Sequence, residues 1–544
     1  MSPLFRHKGG AHPPPNKRTA EFYGLIGLVL LGFMFWGARS LWDSSEARYG
    51  QVAFEMIRSG HWLVPTLAGE PHLTKPPFTY WMAAAGMKLF GLNAWGARFF
   101  LAVFFTGTLF SVRELGRAMG YDRKVALSAA LIFATAIVPF IGGHTLTSDA
   151  FLTFWETLGI LAAWKVWQNP ARRPDGWRLV FWAAFGMGFF TKGPPALLPL
   201  VAIAVFVWMR RGQGRGAALV SLPGIVLFMG LSFWWFAVLV VHNPALIHYF
   251  IGDEVIGRIA TDMYHRSDPF WIYAPIIIFG VGPWLLLWPR LMVRIYGRFR
   301  HKTLWAEDRY LFLLLWFTMP LAVFVLAKSR MPLYVMPLFA PLSLTLAHTW
   351  CTDVGPRLRR SKPKWRAVVA GLAVWCLALA VFTVYPDRFP GARSYRPAAE
   401  TFNQALARIP EPVQLFWVYA GRQKYSIPFY MQRVIGNAEG FDRYMAERSS
   451  PGVKVPGRVL YITKAIVLSK LQHQSHRPVV IAQTPNLALI EWPPSGSPPK
   501  ETARVQATHG NPAGGSDTLG HKIITSHPFR RYAALWLLLA GRLH

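Results

Sequence analysis

Residues 41–81 read LWDSSEARYGQVAFEMIRSGHWLVPTLAGEPHLTKPPFTYW. This stretch follows directly on an apolar run, Phe22–Leu41, long enough to cross a bilayer. It carries acids (Asp43, Glu46, Glu55, Glu70), bases (Arg48, Arg58, Lys75), two histidines and several prolines before the next apolar run. Loops beyond about a dozen residues are as a rule functional or disordered. The Trp, Tyr and Phe content of this one argues against disorder. It therefore reads as an ordered loop at a membrane surface that carries chemistry.

Composition supports the membrane. Of the 544 residues 53% are hydrophobic and only 15% charged, against about a quarter charged in a soluble chain. The net charge of +32 would point to nucleic acid in a soluble protein. Here the bases sit in short clusters between apolar runs, the positive-inside pattern, so nucleic acid is not an expected partner. The two cysteines, Cys351 and Cys376, lie in or beside apolar runs and exclude a disulfide framework or a cysteine metal site.

Working outward from the loop, the basic tail 1–21 holds the N-terminus in the cytosol. Spans are expected at Phe22–Leu41, Trp95–Val112, Val125–Gly143, Ala150–Trp167, Leu179–Phe190, Leu197–Met209, Ala217–Val241, Phe270–Trp288, Leu311–Ala327, Leu333–Ala347 and Val368–Tyr385. Within the first external loop (42–94), Phe78–Gly91 is too short to cross and reads as an interfacial helix. The fold class is an all-α polytopic membrane domain over residues 22–385, with about eleven transmembrane helices. After it, 386–495 reads as a small external α/β domain, with strand-like runs QLFWVYAG, VLYIT and PVVIAQ and a helix near Pro397–Ile409. Residues 496–544 are low-complexity and expected to be disordered.

The charged motifs outside the basic clusters fall mostly on the external side, which suggests one composite site. Asp43 and Glu46 have the spacing of a capping pair, N-cap and N3, and either carboxylate at a bilayer surface also suits a general base. Asp149 opens a helix after His144-Thr-Leu-Thr-Ser, where Thr147 or Ser148 can cap. An acid at a span boundary with no basic neighbour in sequence is nevertheless a functional candidate. Lys75 (LTKPP) and Lys192 (FTKGPP), each set before prolines, together with Lys328 and Arg330, offer fixed positive charge for a phosphate. Arg258, four residues after Glu254, has the spacing of a helical ion pair and also suits that phosphate. The histidines share no ligand spacing, so no metal is expected.

Together with HTLTSDAFLTFWETL, FFTKGPPALLPL, DEVIGRI and AKSRMPLYVMPLFAPL, the opening loop resembles the bacterial GT-C glycosyltransferases. The nearest branch is the aminoarabinose transferases that modify lipid A, relatives of the protein O-mannosyltransferases. The resemblance covers roughly residues 25 to 350. It implies transfer of a sugar from a polyprenyl-phosphate carrier to lipid A, a glycan or a protein on the periplasmic face of the inner membrane, among membrane lipids and without a cofactor. It also implies Arg48 among the phosphate ligands and Tyr49, Tyr80 and Tyr334 in the substrate pocket. Ser45 stands where the family has its catalytic aspartate, so Asp43 or Glu46, assisted by Asp149, would take that role. Thr74 and Val255 stand where the aminoarabinose branch has metal-ligating Glu and His, which again implies no metal. The alternatives are a transporter or flippase of lipid-linked glycan, or a non-catalytic glycolipid-binding member. Charges gathered at one surface, with no internal repeat, favour the enzyme.

Overall fold

In hydrocarbon every backbone group must find a partner inside its own segment, so the apolar runs become helices. The computed structural model describes residues 17–34, 37–43, 45–170, 175–257, 269–385, 394–418, 424–437, 458–471 and 478–491. Helix α1 (Lys17–Gly32) leads into the first loop. That loop holds α2 (Ser45–Ser59), a hairpin of β1 (Thr66–Leu67) and β2 (Glu70–Pro71), and α3 (Phe78–Phe90). Then come α4 (Ala94–Ala118), α5 (Arg123–Thr135), α6 (Ile137–Gly143), α7 (Ser148–Gln168), α8 (Asp175–Lys192), α9 (Leu198–Met209) and α10 (Leu222–His242). The membrane part closes with α11 (Tyr273–Gly280), α12 (Trp288–Arg300), α13 (Asp308–Leu326), α14 (Phe339–Thr349) and α15 (Lys362–Val384).

The protein is a multi-pass helical membrane protein. Among the described residues four helices, α4, α10, α13 and α15, are long and apolar enough to cross, or six spans if two bent pairs each count as one. Several expected spans are broken. The run Val125–Gly143 bends by 69° between α5 and α6, because Pro139 cannot donate to the carbonyl four residues before it. Thr135, left at the break, is not orphaned. Its carbonyl accepts from Trp375 Nε1 (2.9 Å) and its hydroxyl from Trp284 Nε1 (3.0 Å). Leu333–Ala347 is likewise divided, into a 3₁₀ segment Pro332–Leu338 and α14, with Pro337 at the junction.

Beyond α15 lies a four-stranded sheet of β3 (Val413–Trp417), β4 (Arg458–Lys464), β5 (Val479–Gln483) and β6 (Leu487–Glu491), in the order β3-β4-β6-β5. β3 is parallel to β4, and β6 is antiparallel to both its neighbours. Leu415 and Trp417 face α16 (Arg396–Leu406) through Ala399 and Phe402, while Phe416 faces the other cluster with Tyr461 and Ile490. That is the period-two alternation of a strand covered on both sides. β6 has no counterpart among the expected strands. Its run LALIE, buried on both faces, lacks the alternation that marks a half-buried strand.

The sheet unit is tied to the first loop through α17 (Ser426–Met431). Tyr430 Oη accepts from the Leu41 amide (2.7 Å), and Gln51 Nε2 donates to the Arg433 carbonyl (3.2 Å). The expected basic tail before residue 17, the tail from 496 and Arg258 lie outside the described residues.

Candidate active site

The loop is stiff because its own acids hold it. Ala68 and Gly69 both have positive φ (57° and 79°), the pattern of a type I′ hairpin turn. Glu55 accepts from both of their amides, at 2.9 and 3.1 Å. α2 has Glu46 in its first turn and Arg58 in its last, each favourable to the helix dipole.

Glu46 does not have the freedom of a catalytic base. Its Oε2 accepts from Arg39 Nη1 (2.5 Å) and the Trp42 amide (3.0 Å). Its Oε1 accepts from Arg98 Nε (2.7 Å) and the Leu146 amide (2.9 Å). Arg39 also donates to the His144 carbonyl (2.9 Å), and Arg98 to the carbonyls of Arg39 and Ser40 (2.8 and 3.0 Å). Burial alone would raise the Glu46 pKa, but the two guanidinium groups outweigh it and hold the pKa at about 2. A carboxylate so occupied takes no proton near neutrality. It fastens the loop, α4 and the turn before α7 to one another. Sequence reading missed Arg39 and Arg98, although an arginine inside an expected span, as Arg98 is in Trp95–Val112, is itself a signal.

Asp43 departs from expectation in another way. Among the described residues its carboxylate accepts not from the amides of α2 but from the amide and hydroxyl of Ser426 at the head of α17, with amide distances of 3.1 and 3.3 Å. Burial pushes its pKa up to about 6, against the hydrogen bonds from Ser426 and the charge of Lys424, which lower it. The folded value lies above the ordinary 3.8, so the stability that Asp43 contributes is full below pH 3.8 and lost as pH rises through about 6. Asp43→Asn cannot titrate. The Tm difference between wild type and this variant is expected to shift against wild type between pH 4.5 and 7.5, and a constant difference would contradict this geometry.

The remaining residues converge at the N-terminus of α7. Thr147 caps it through Oγ1, which accepts from the Asp149 amide (3.4 Å). Lys75 Nζ donates to Tyr49 Oη (2.7 Å) and reaches Ser148 Oγ (3.5 Å), while Tyr49 Oη donates to Ser148 Oγ (3.3 Å). Tyr80 stacks obliquely on Tyr49 with ring centres 5.2 Å apart. Lys192 arrives from the last turn of α8, which ends at Gly193 with φ 78°. Its Nζ pairs with Asp149 Oδ1 and lies 4.3 Å from the Tyr334 ring centre. Arg48 acts electrostatically on Tyr49 and Tyr80, and so does Glu254 on Tyr80. Glu156, unnoticed in the sequence, lies two turns along α7 from Asp149, buried and within the field of Lys192.

Of the expected phosphate ligands, Lys75 and Lys192 are thus brought to the N-terminus of α7, while Arg48 lies within electrostatic reach of Tyr49 and Tyr80. Arg330 donates to the Val325 carbonyl (3.0 Å) on the chain leading to Tyr334, and Lys328 is exposed without a hydrogen bond or ion pair to any described residue.

A family model described as dolichyl-phosphate-mannose-protein mannosyltransferase matches residues 74–235, the segment that carries Lys75, Tyr80, Asp149, Glu156 and Lys192. The chain is 31% identical over 379 residues to an undecaprenyl phosphate-alpha-4-amino-4-deoxy-L-arabinose arabinosyl transferase of Pseudomonas fluorescens, covering 67% of this chain and 64% of that one. It is 33% identical over 340 residues to its counterpart in Erwinia tasmaniensis, covering 60% and 58%. The crystal structure of ArnT from Cupriavidus metallidurans bound to undecaprenyl phosphate superposes with a TM-score of 0.71 at 19% identity, over 89% of this chain and 100% of that one. The chain is a member of the GT-C family. It spans about three fifths of the length of the curated relatives it matches. Within this family it stands with the aminoarabinose-transferase-like members, and its Lys75–Tyr49–Ser148–Asp149–Lys192 cluster lies largely inside the matched region.

Proposed function

We propose that this GT-C member is a glycosyltransferase of the inner membrane that moves a sugar from a polyprenyl-phosphate donor to lipid A or a related envelope glycan at the periplasmic face. The eleven-span topology with a cytosolic N-terminus and an external sheet domain belongs to the same reading. The observation that carries it is the meeting of an acid with two cations at one helix N-terminus, Asp149 with Lys75 and Lys192. A helix N-terminus flanked by lysines suits a phosphate. The relatives act on an undecaprenyl-phosphate sugar by name, and the similar fold of ArnT was crystallised with undecaprenyl phosphate itself.

The division of labour follows from the pairing. Lys192 is already neutralised by Asp149, so Lys75 and Arg48 are the cations left for the donor phosphate. Their charge matters most as the glycosidic bond breaks and the phosphate gains a full charge on its bridging oxygen. Asp149, held in one rotamer by Lys192, orients the acceptor hydroxyl and draws its proton as that oxygen attacks the anomeric carbon. Glu46 and Asp43 are assigned to positioning: Glu46 fixes the loop against α7, and Asp43 fixes the loop against α17.

The test is mass spectrometry of envelope glycolipids from a deletion strain carrying wild type or Lys75→Ala. Wild type is expected to restore a sugar modification that the deletion lacks. Lys75→Ala, removing one charge from the departing phosphate, is expected to slow transfer by about 10²- to 10³-fold. A glycolipid profile that is the same in the deletion and wild-type strains would overturn the proposal.

A further inference from the structure

The end of the bundle remote from Asp149 gathers groups that the proposed reaction does not use. α7 has 21 residues, which separate Ser148 from Gln168 by about 30 Å at 1.5 Å per residue, the thickness of a hydrocarbon core. Around Gln168 lies a cavity of about 490 Å³ whose walls include Trp164, Trp167, Gln168, Arg215, Glu307 and Arg309. That volume is in the range of small-molecule pockets.

Charge there is one-sided. Arg210 Nε donates to Asp308 Oδ1 (2.7 Å), whose other oxygen accepts from Trp167 Nε1 (3.0 Å). Arg309 (2.8 Å) and Arg298 (3.7 Å) share Glu307. Both acids are therefore already satisfied by three arginines. Arg215 is exposed, lies 5.9 Å from the Trp167 ring centre, and pairs with no acid among the described residues. A free guanidinium on the rim of a pocket walled by tryptophan is a ready ligand for a phosphate oxygen.

The neighbouring helix shows where that pocket sits. The segment Gly282–Arg300, which includes α12, is turned by 94° from Phe270–Gly280. Met292, Val293, Tyr296 and Phe299 are exposed along one side of α12, while Leu291 is buried. Arg294 turns inward to Asp353 and Arg298 to Glu307 and the Tyr310 ring. Arg290 and Arg300 remain exposed near its ends. A helix that is apolar on one side, basic at its flanks and turned perpendicular to the apolar segment before it suits the membrane interface. Exposed Trp208 and Trp305, amphipathic rings of the kind found at the headgroup level, occur at this same end.

We propose that this corner binds the headgroup of an anionic phospholipid from the leaflet on that side. Arg215 takes the phosphodiester, Arg309 and the Gln168 amide border it, and the exposed face of α12 seats among the acyl chains. Basic pockets between membrane helices recognise anionic headgroups in this way. Charge complementarity selects the lipid: a zwitterionic headgroup brings its own cation to the arginines and gains less.

The test uses the full-length protein purified in neutral detergent, with Tm and lipid retention by native mass spectrometry as readouts. Phosphatidylglycerol is expected to raise Tm and to be retained, whereas phosphatidylcholine and inorganic phosphate do neither. Arg215→Gln, at an exposed residue without an ion pair to any described residue, is expected to fold normally and weaken phosphatidylglycerol binding about fivefold. Arg211→Gln, an exposed arginine on the same end but stacked on Trp208 outside the cavity, is expected to bind like wild type. The proposal is overturned if phosphatidylcholine stabilises equally, if inorganic phosphate alone gives the same shift, or if the two variants lose affinity alike.

Discussion

Asp149→Asn is expected to lower sugar transfer by about 10²- to 10⁴-fold, the range of a lost general base. Asparagine is nearly isosteric and can keep the place of Asp149 in the first turn of α7, so the helix start survives. The charge lost is the one that pairs with Lys192, and an unpaired buried lysine destabilises the fold. The single variant alone would therefore confuse catalysis with stability. The double variant Asp149→Asn/Lys192→Met removes the stranded charge and is expected to recover much of the lost Tm without recovering turnover. If Asp149→Asn transfers sugar at the wild-type rate, the residue serves only as the partner of Lys192, and the catalytic assignment fails.

The largest effect on stability is expected from Glu46→Gln. Both buried arginines would then lose their counter-charge at once, and breaking a buried pair by removing one partner costs about 3–5 kcal/mol. The pH dependence has a definite sign. The folded pKa of Glu46, about 2, lies below the ordinary 4.5, so its stabilisation is fully present above 4.5 and is lost as pH falls toward 2. Thermal melts of wild type and Glu46→Gln should therefore differ widely at pH 7 and approach each other at pH 3. Equal melting temperatures at pH 7 would remove Glu46 from its structural role and reopen it as a candidate base.

What could be read from the chain alone depended on whether a signal was local. Lys75 and Lys192 stood out because each breaks the distribution of bases along the chain, and Asp149 because it opens an apolar helix. All three meet in space. The partners of Glu46 were illegible because Arg39 and Arg98 reach it from elsewhere in the chain, seven and 52 residues away. The N-cap assigned to Asp43 was reasonable local chemistry, but Ser426, 383 residues later, takes its carboxylate. Hydropathy located the apolar runs and missed their breaks. Pro139 lay in plain view within one of them, but whether a proline kinks a span or divides it depends on who receives the freed carbonyl, and Trp375 does so from another helix.

The most direct test of the account is reconstitution of the purified full-length protein in liposomes with undecaprenyl-phosphate-linked labelled aminoarabinose and lipid A. Label is expected to move to lipid A as free undecaprenyl phosphate appears in equal amount, and Lys75→Ala and Asp149→Asn are both expected to stop this exchange. Label that crosses the bilayer still attached to its carrier, with no undecaprenyl phosphate released, would contradict it and identify the protein as a transporter of the lipid-linked sugar.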